Sequence, residues 1–158
     1  MHRHTCELEL TGRLLLWTLR HGSRGLRQRR DLPNFLCHTL AQLPAGIHLL
    51  DLSETLLAHL TLGACRPLTF AFPESQTLTQ DENDIIMALI AAQLGLESEA
   101  RLLLANLQHA GGLRRTQRAC LALAELLEQH DLALSRLASR KSPFMPADEH
   151  EASIRISL

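Results

Sequence analysis

The chain has 158 residues, enough for one domain, and holds 36 Leu and 18 Ala but no Val, no Tyr, only six Ile and four Phe. That composition excludes a β-sandwich or β-barrel, which needs many β-branched and aromatic residues. With 46% hydrophobic residues and a net charge of −1, it also excludes an intrinsically disordered chain. Leu and Ala are strong helix formers. The expectation is therefore a mainly α, compact Leu/Ala-rich bundle of six or seven helices, forming one helical domain over 1–141.

The opening residues are polar and carry no apolar leader core, and no apolar run reaches the length of a membrane span. This predicts a cytoplasmic protein with no membrane contact. Glu7-Leu8-Glu9-Leu10 alternates as a short strand or extended tail would. Thr11 can cap a helix over 12–21 that places Leu15, Leu16 and Leu19 on one face, with Gly22 and Gly25 ending it. The stretch from Arg20 to Arg30 then reads as a basic connector. Asp31 and Pro33 open a helix bearing Leu32, Leu36, Leu40 and Leu43, closed by Pro44-Ala45-Gly46. Another helix is predicted to start at Asp51 or Ser53 and to stop at Gly63. Leu68, Phe70 and Phe72 alternate strictly, as do Ile154, Ile156 and Leu158. These two segments, 65–72 and 153–158, are predicted to form a small β element, paired with each other or with 7–10.

Thr79-Gln80-Asp81-Glu82 has the pattern of a capping box, in which the Thr hydroxyl accepts from the N3 amide and Glu82 reaches back to the cap amide. Its helix should run to about Leu94, with Gly95 just past the end. Helices over 97–109 and 113–129 follow, separated by Gly111-Gly112. A short break near His130-Asp131 is then followed by a final helix to about Arg140. Residues 142–158 read as a loop followed by a C-terminal strand or tail. Ala91, Ala100 and Ala105 recur 33 residues later as Ala124, Ala133 and Ala138, the spacing of helical-hairpin repeats.

No nucleophile elbow, Walker loop or dinucleotide glycine fingerprint occurs, so no residue is assigned a catalytic role and no cofactor is expected. The four cysteines are widely spaced and suit a reducing compartment. His2, His4 and Cys6 stand at alternate positions and are weak metal-ligand candidates. Imidazole and thiolate suit zinc, but three ligands on one terminal segment do not complete a site. Asp81, Glu82 and Asp84 fall in the first turn of a helix, where negative charge complements the macrodipole.

Charge is unevenly placed. Residues 1–30 hold seven Arg against two Glu, while residues 74–99 hold six acids and no base. The two stretches could match within one chain or between subunits. The arginines Arg20, Arg24, Arg27, Arg29 and Arg30 are candidate contacts for an anion or nucleic acid, since guanidinium binds phosphate bidentately. Residues 121–140 resemble a helix-turn-helix of the winged-helix type. The turn would lie at 128–131, Leu134 and Leu137 would face inward, and Ser135, Arg136, Ser139 and Arg140 outward. Glu128 departs from that pattern, which often has glycine there.

The segments Gly12-Arg-Leu-Leu-Leu-Trp-Thr-Leu-Arg20, Cys65-Arg-Pro-Leu68, Leu78-Thr-Gln-Asp-Glu82, Ile90-Ala-Ala92 and Ala100-Arg101 resemble a family of small uncharacterised helical bacterial proteins over residues 12–107. The resemblance implies a helical fold and lends no function. In that family cysteines often precede the Thr-x-Asp-Glu helix. Here Phe72-Pro-Glu-Ser75 stands in their place and implies no metal there. The leading expectation is a non-enzymatic helical interaction protein, self-associating as a homodimer or larger homo-oligomer, or binding another protein. The alternatives are a DNA-binding regulator using 121–140 and, after it, a metal-binding protein or enzyme.

Overall fold

A computed structural model describes residues 8, 10–28, 38, 42 and 45–134, with only the backbone for 26–28. The described residues form five helices and no strand: α1 (Leu10–Gln28), α2 (Gly46–Leu62), α3 (Gln80–Gln93), α4 (Glu97–Ala105) and α5 (Ala110–Gln129). Within these residues the prediction of a mainly helical fold is correct. The predicted helix over 31–43, apart from His38 and Gln42, and the segment 153–158 lie outside the described residues.

The centre of the bundle is α3. Ten of its fourteen residues are buried, including Ile85, Ile86, Leu89 and Ile90, as expected of a helix surrounded by others. Helices α4 and α5 pack on it, α5 also packs on α2, and α1 closes the other side against α2 and α3. Leucines from all five helices fill the core, among them Leu15, Leu16 and Leu19, then Leu56, Leu57 and Leu60, then Leu89 and Leu104, and finally Leu123 and Leu127.

The helix boundaries correct several expectations. Helix α1 does not end at Gly22 but runs to Gln28. Gly22 faces α2 so closely that a Cβ there would lie 2.8 Å from Leu57 Cδ2, so this glycine permits helix contact and does not break the helix. Helix α2 begins at Gly46, after Ala45 in a left-handed conformation. Asp51 and Ser53 are therefore internal, and the buried Ser53 hydroxyl donates to Leu49 O at 2.6 Å. Helix α4 stops at Ala105 because the chain after it pairs with the end of α2. Cys65 N donates to Leu107 O at 3.0 Å and His109 N to Gly63 O at 2.8 Å. Gly111 and Gly112 lie in the first turn of α5 and do not precede it.

The predicted β element at 65–72 is absent, and the reason is where its amides point. Thr69 N donates to Asp81 Oδ2 at 2.7 Å and Ala71 N to Glu82 Oε1 at 3.0 Å. Alternate amides of the extended segment are thus taken by carboxylates at the start of α3, where a strand would offer them to a neighbouring strand. The break expected near His130-Asp131 is present, and the final helix expected after it falls mostly on 135–140, outside the described residues. A left-handed Asp131 ends α5, with Leu132 N donating to Leu127 O at 2.8 Å and Asp131 N to Glu128 O at 3.0 Å. Leu132 to Leu134 are then held by Gln93, whose side chain donates to Leu132 O and accepts from Leu134 N. Of the residues in the 33-residue repeat, Ala91, Ala100 and Ala124 are buried but Ala133 is exposed, so the described copies are not structurally equivalent.

Candidate interaction surface

Arg20 lies in the third turn of α1 and is completely buried. Its Nε donates to Glu82 Oε1 at 2.7 Å and its Nη2 to Glu82 Oε2 at 2.9 Å. Its remaining N–H groups reach backbone carbonyls of the segment before α3: Phe72 at 3.2 Å, Ser75 at 2.8 Å and Thr77 at 2.8 Å. All five guanidinium donors are thereby used. Glu82 is equally occupied, since Ala71 N and Thr79 N supply its other two hydrogen bonds. Both arms of the expected capping box are present. Glu82 therefore both caps α3 and neutralises a buried arginine from another helix.

A second pair lies beside the first. Arg66 donates to Asp81 through Nη2 at 2.6 Å and Nη1 at 2.9 Å, and Thr69 N adds a third bond to the carboxylate. The hydrogen bonds from Arg66 and Thr69 hold the Asp81 carboxyl below its ordinary value against the opposing effect of burial. Asp81 in turn raises Arg66. Thr79 joins the two ends of the segment by donating to Thr69 O at 2.7 Å. Residues 66–79 carry no regular structure, yet they are fixed at six or more points by two ion pairs and their backbone bonds.

What this fixed segment presents is Phe72. This residue is 69% exposed, while the next, Pro73, is buried. The Phe72 carbonyl is held by Arg20 and by Ser75 N at 2.9 Å, which closes a turn over 72–75. Arg24, one turn after Arg20 on α1, places its guanidinium carbon 4.4 Å from the centre of the Phe72 ring. Beside this knob is a cleft of about 420 Å³ lined by Ser23, Thr61, Ala64, Arg66, Pro67, Leu68 and Phe70. The Ser23 and Thr61 hydroxyls donate to Arg20 O and Leu57 O, so the cleft offers mainly apolar surface with the half-exposed Arg66 at one wall.

The structure separates the arginines that the sequence grouped. Arg20 is removed from any anion-binding surface by its burial and its bond to Glu82, which corrects its candidacy as an anion or nucleic-acid contact. Arg24 lies against Phe72. The side chain of Arg27 and the whole of Arg29, Arg30, Arg136 and Arg140 lie outside the described residues, as do the metal candidates His2, His4 and Cys6. Among the described residues no three His, Cys, Asp or Glu side chains converge on a metal position, and no helix is long and apolar enough to cross a membrane. Cys120 is buried in α5, which pushes its thiol up to about 12 and leaves it protonated. His21 stands edge-on to Trp17, with ring centres 6.4 Å apart, and burial lowers its pKa.

Sequence reasoning missed both ion pairs and the display of Phe72. The one available signal was the imbalance between the basic first 30 residues and the acidic stretch after 74, of which Arg20–Glu82 joins one member of each within the chain. No protein-family model, curated protein or solved structure matches the chain.

Proposed function

We propose that this is a non-enzymatic interaction protein whose helical bundle holds one irregular segment rigid and presents Phe72, with Arg24 over its ring, to a protein partner. The observation that carries this reading is the way the buried Arg20–Glu82 pair fixes the backbone that bears an exposed aromatic ring. Buried ion pairs give little net stability compared with apolar replacements. What this pair supplies is position. Aromatic rings and arginines are the residue types that most often dominate binding at protein interfaces, and a ring already held in place loses little entropy on docking. The polar groups of the knot are spent on each other and on the backbone, which supports a supporting role for them over a chemical one.

Photo-crosslinking tests the reading. Phe72→p-benzoylphenylalanine in the cells of origin should yield a discrete adduct with one partner protein, weakened by Arg24→Ala. The control position is Leu62, which is 85% exposed on α2. Binding of the purified partner should fall at least about ten-fold on Phe72→Ala, as for an interface anchor. Identical adducts from positions 72 and 62, or no adduct from 72, would overturn the proposal.

A further inference from the structure

The solvent face of α5 has a charge pattern that works against its own helix. Arg114, Arg115 and Arg118 are exposed near its N-terminus, and Glu125 and Glu128 are exposed near its C-terminus. The helix has no acid in its first turn and no base in its last. Helix dipoles favour the opposite arrangement, with acids at the start and bases at the end. Arg114 and Arg118 are four residues apart and Arg115 and Arg118 three, so they repel along the helix, and no acid stands three or four places after any of them. These charges do not serve the isolated helix.

They do serve a pair of helices. At 100° per residue, Arg114, Arg118, Leu121, Ala122, Glu125 and Gln129 share the side opposite the buried Thr116, Cys120, Leu123 and Leu127. Half-buried Leu121 and Ala122 lie between the basic and acidic halves. An antiparallel copy crossing at Leu121 and Ala122 sets Arg118 against Glu125, and the two-fold axis repeats that pair. Such a contact is self-complementary and closed.

We infer that a second copy of this chain docks on this face of α5 to form an antiparallel, two-fold symmetric dimer. Leu121 and Ala122 form its apolar centre, and the charges set register and partner choice. The acidic half argues against nucleic acid as the occupant, because it would repel phosphates along the same groove. This surface is separate from the Phe72 knob, and the inference does not depend on the proposed partner of that knob.

Charge exchange tests it on the full chain. Sedimentation velocity over a range of concentrations should show a reversible dimer that weakens as salt is raised to about 1 M, where the screening length falls to about 3 Å. The block variants Arg118→Glu and Glu125→Arg should each lose at least about ten-fold in self-association. Mixing the two in equal amounts should restore a dimer, and so should both substitutions in one chain. Both block variants place charges where the helix dipole favours them, so their melting temperatures should match or exceed the wild type, which separates lost association from lost folding. A wild-type chain that stays monomeric, block variants that associate as well as the wild type, or a monomer that binds duplex DNA through Arg114 and Arg118 would each overturn the inference.

Discussion

Arg20 shows how far a residue's role depends on a partner that the local sequence does not reveal. It stands in a run rich in arginine and glycine, and its neighbours suggest a solvated connector. Its partner Glu82 lies 62 residues away, and no periodicity links them. Glu82 was legible as a capping residue, because a capping box is a pattern of four adjacent positions, but its second role was not. Removing one member of a buried pair leaves the other charged and unmatched, at a typical cost of about 3–5 kcal/mol. Arg20→Met should reach that range, since it also strands the carbonyls of Phe72, Ser75 and Thr77. Glu82→Leu alone should be as severe. The two together should cost clearly less than their sum, because the double change removes both charges. Urea denaturation of the three variants measures this, and strict additivity would show that the two side chains do not act as a pair.

At the scale of elements, sequence periodicity located most helices but not all their ends. The α3 cap and the glycine after α3 were readable, since both are local chemistry. The extended segment 65–72 was recognised as extended but assigned the wrong partner, because strand alternation does not say whether the amides meet another strand or a carboxylate. Asp81 makes that distinction testable. Its carboxyl titrates below its ordinary value of 3.8 because Arg66 and Thr69 hydrogen-bond to the charged form. A depressed carboxyl contributes stability that is fully present above the unfolded value and is lost as pH falls through the lower folded value. Chemical denaturation at pH 7 should therefore show Asp81→Asn less stable than wild type. The gap should begin to close as pH falls below 3.8 and should narrow further as Asp81 itself is protonated. A gap of constant size from pH 7 to pH 2 would mean that the carboxylate charge is not what holds the segment.

The whole molecule depends on how closely α2 and α5 approach, and two adjacent glycines report on it with opposite signs. At the crossing, Gly63 follows α2 and Gly112 lies in the first turn of α5. A Cβ on Gly112 would lie 2.7 Å from Gly63 Cα, which is backbone and cannot rotate away. The same junction holds a buried polar chain, in which Thr116 donates to Gln108 Oε1 at 2.8 Å and Gln108 Nε2 donates to Leu60 O at 2.8 Å. Gly112→Ala must push the two helices apart and strain those bonds, so it should destabilise by about 1–3 kcal/mol, as overpacking does. Gly111, one residue earlier, has nothing within 4 Å of a Cβ and no positive φ. Gly111→Ala should therefore stabilise by about 0.4–1 kcal/mol through the lower entropy of its unfolded chain. In the sequence the pair reads as a single helix breaker, because a glycine that allows two helices to touch and one that tolerates replacement look alike until the neighbouring helix is in place. Thermal unfolding of both variants measures the contrast. Equal effects of the same sign would mean that α2 and α5 are not held at this distance in solution.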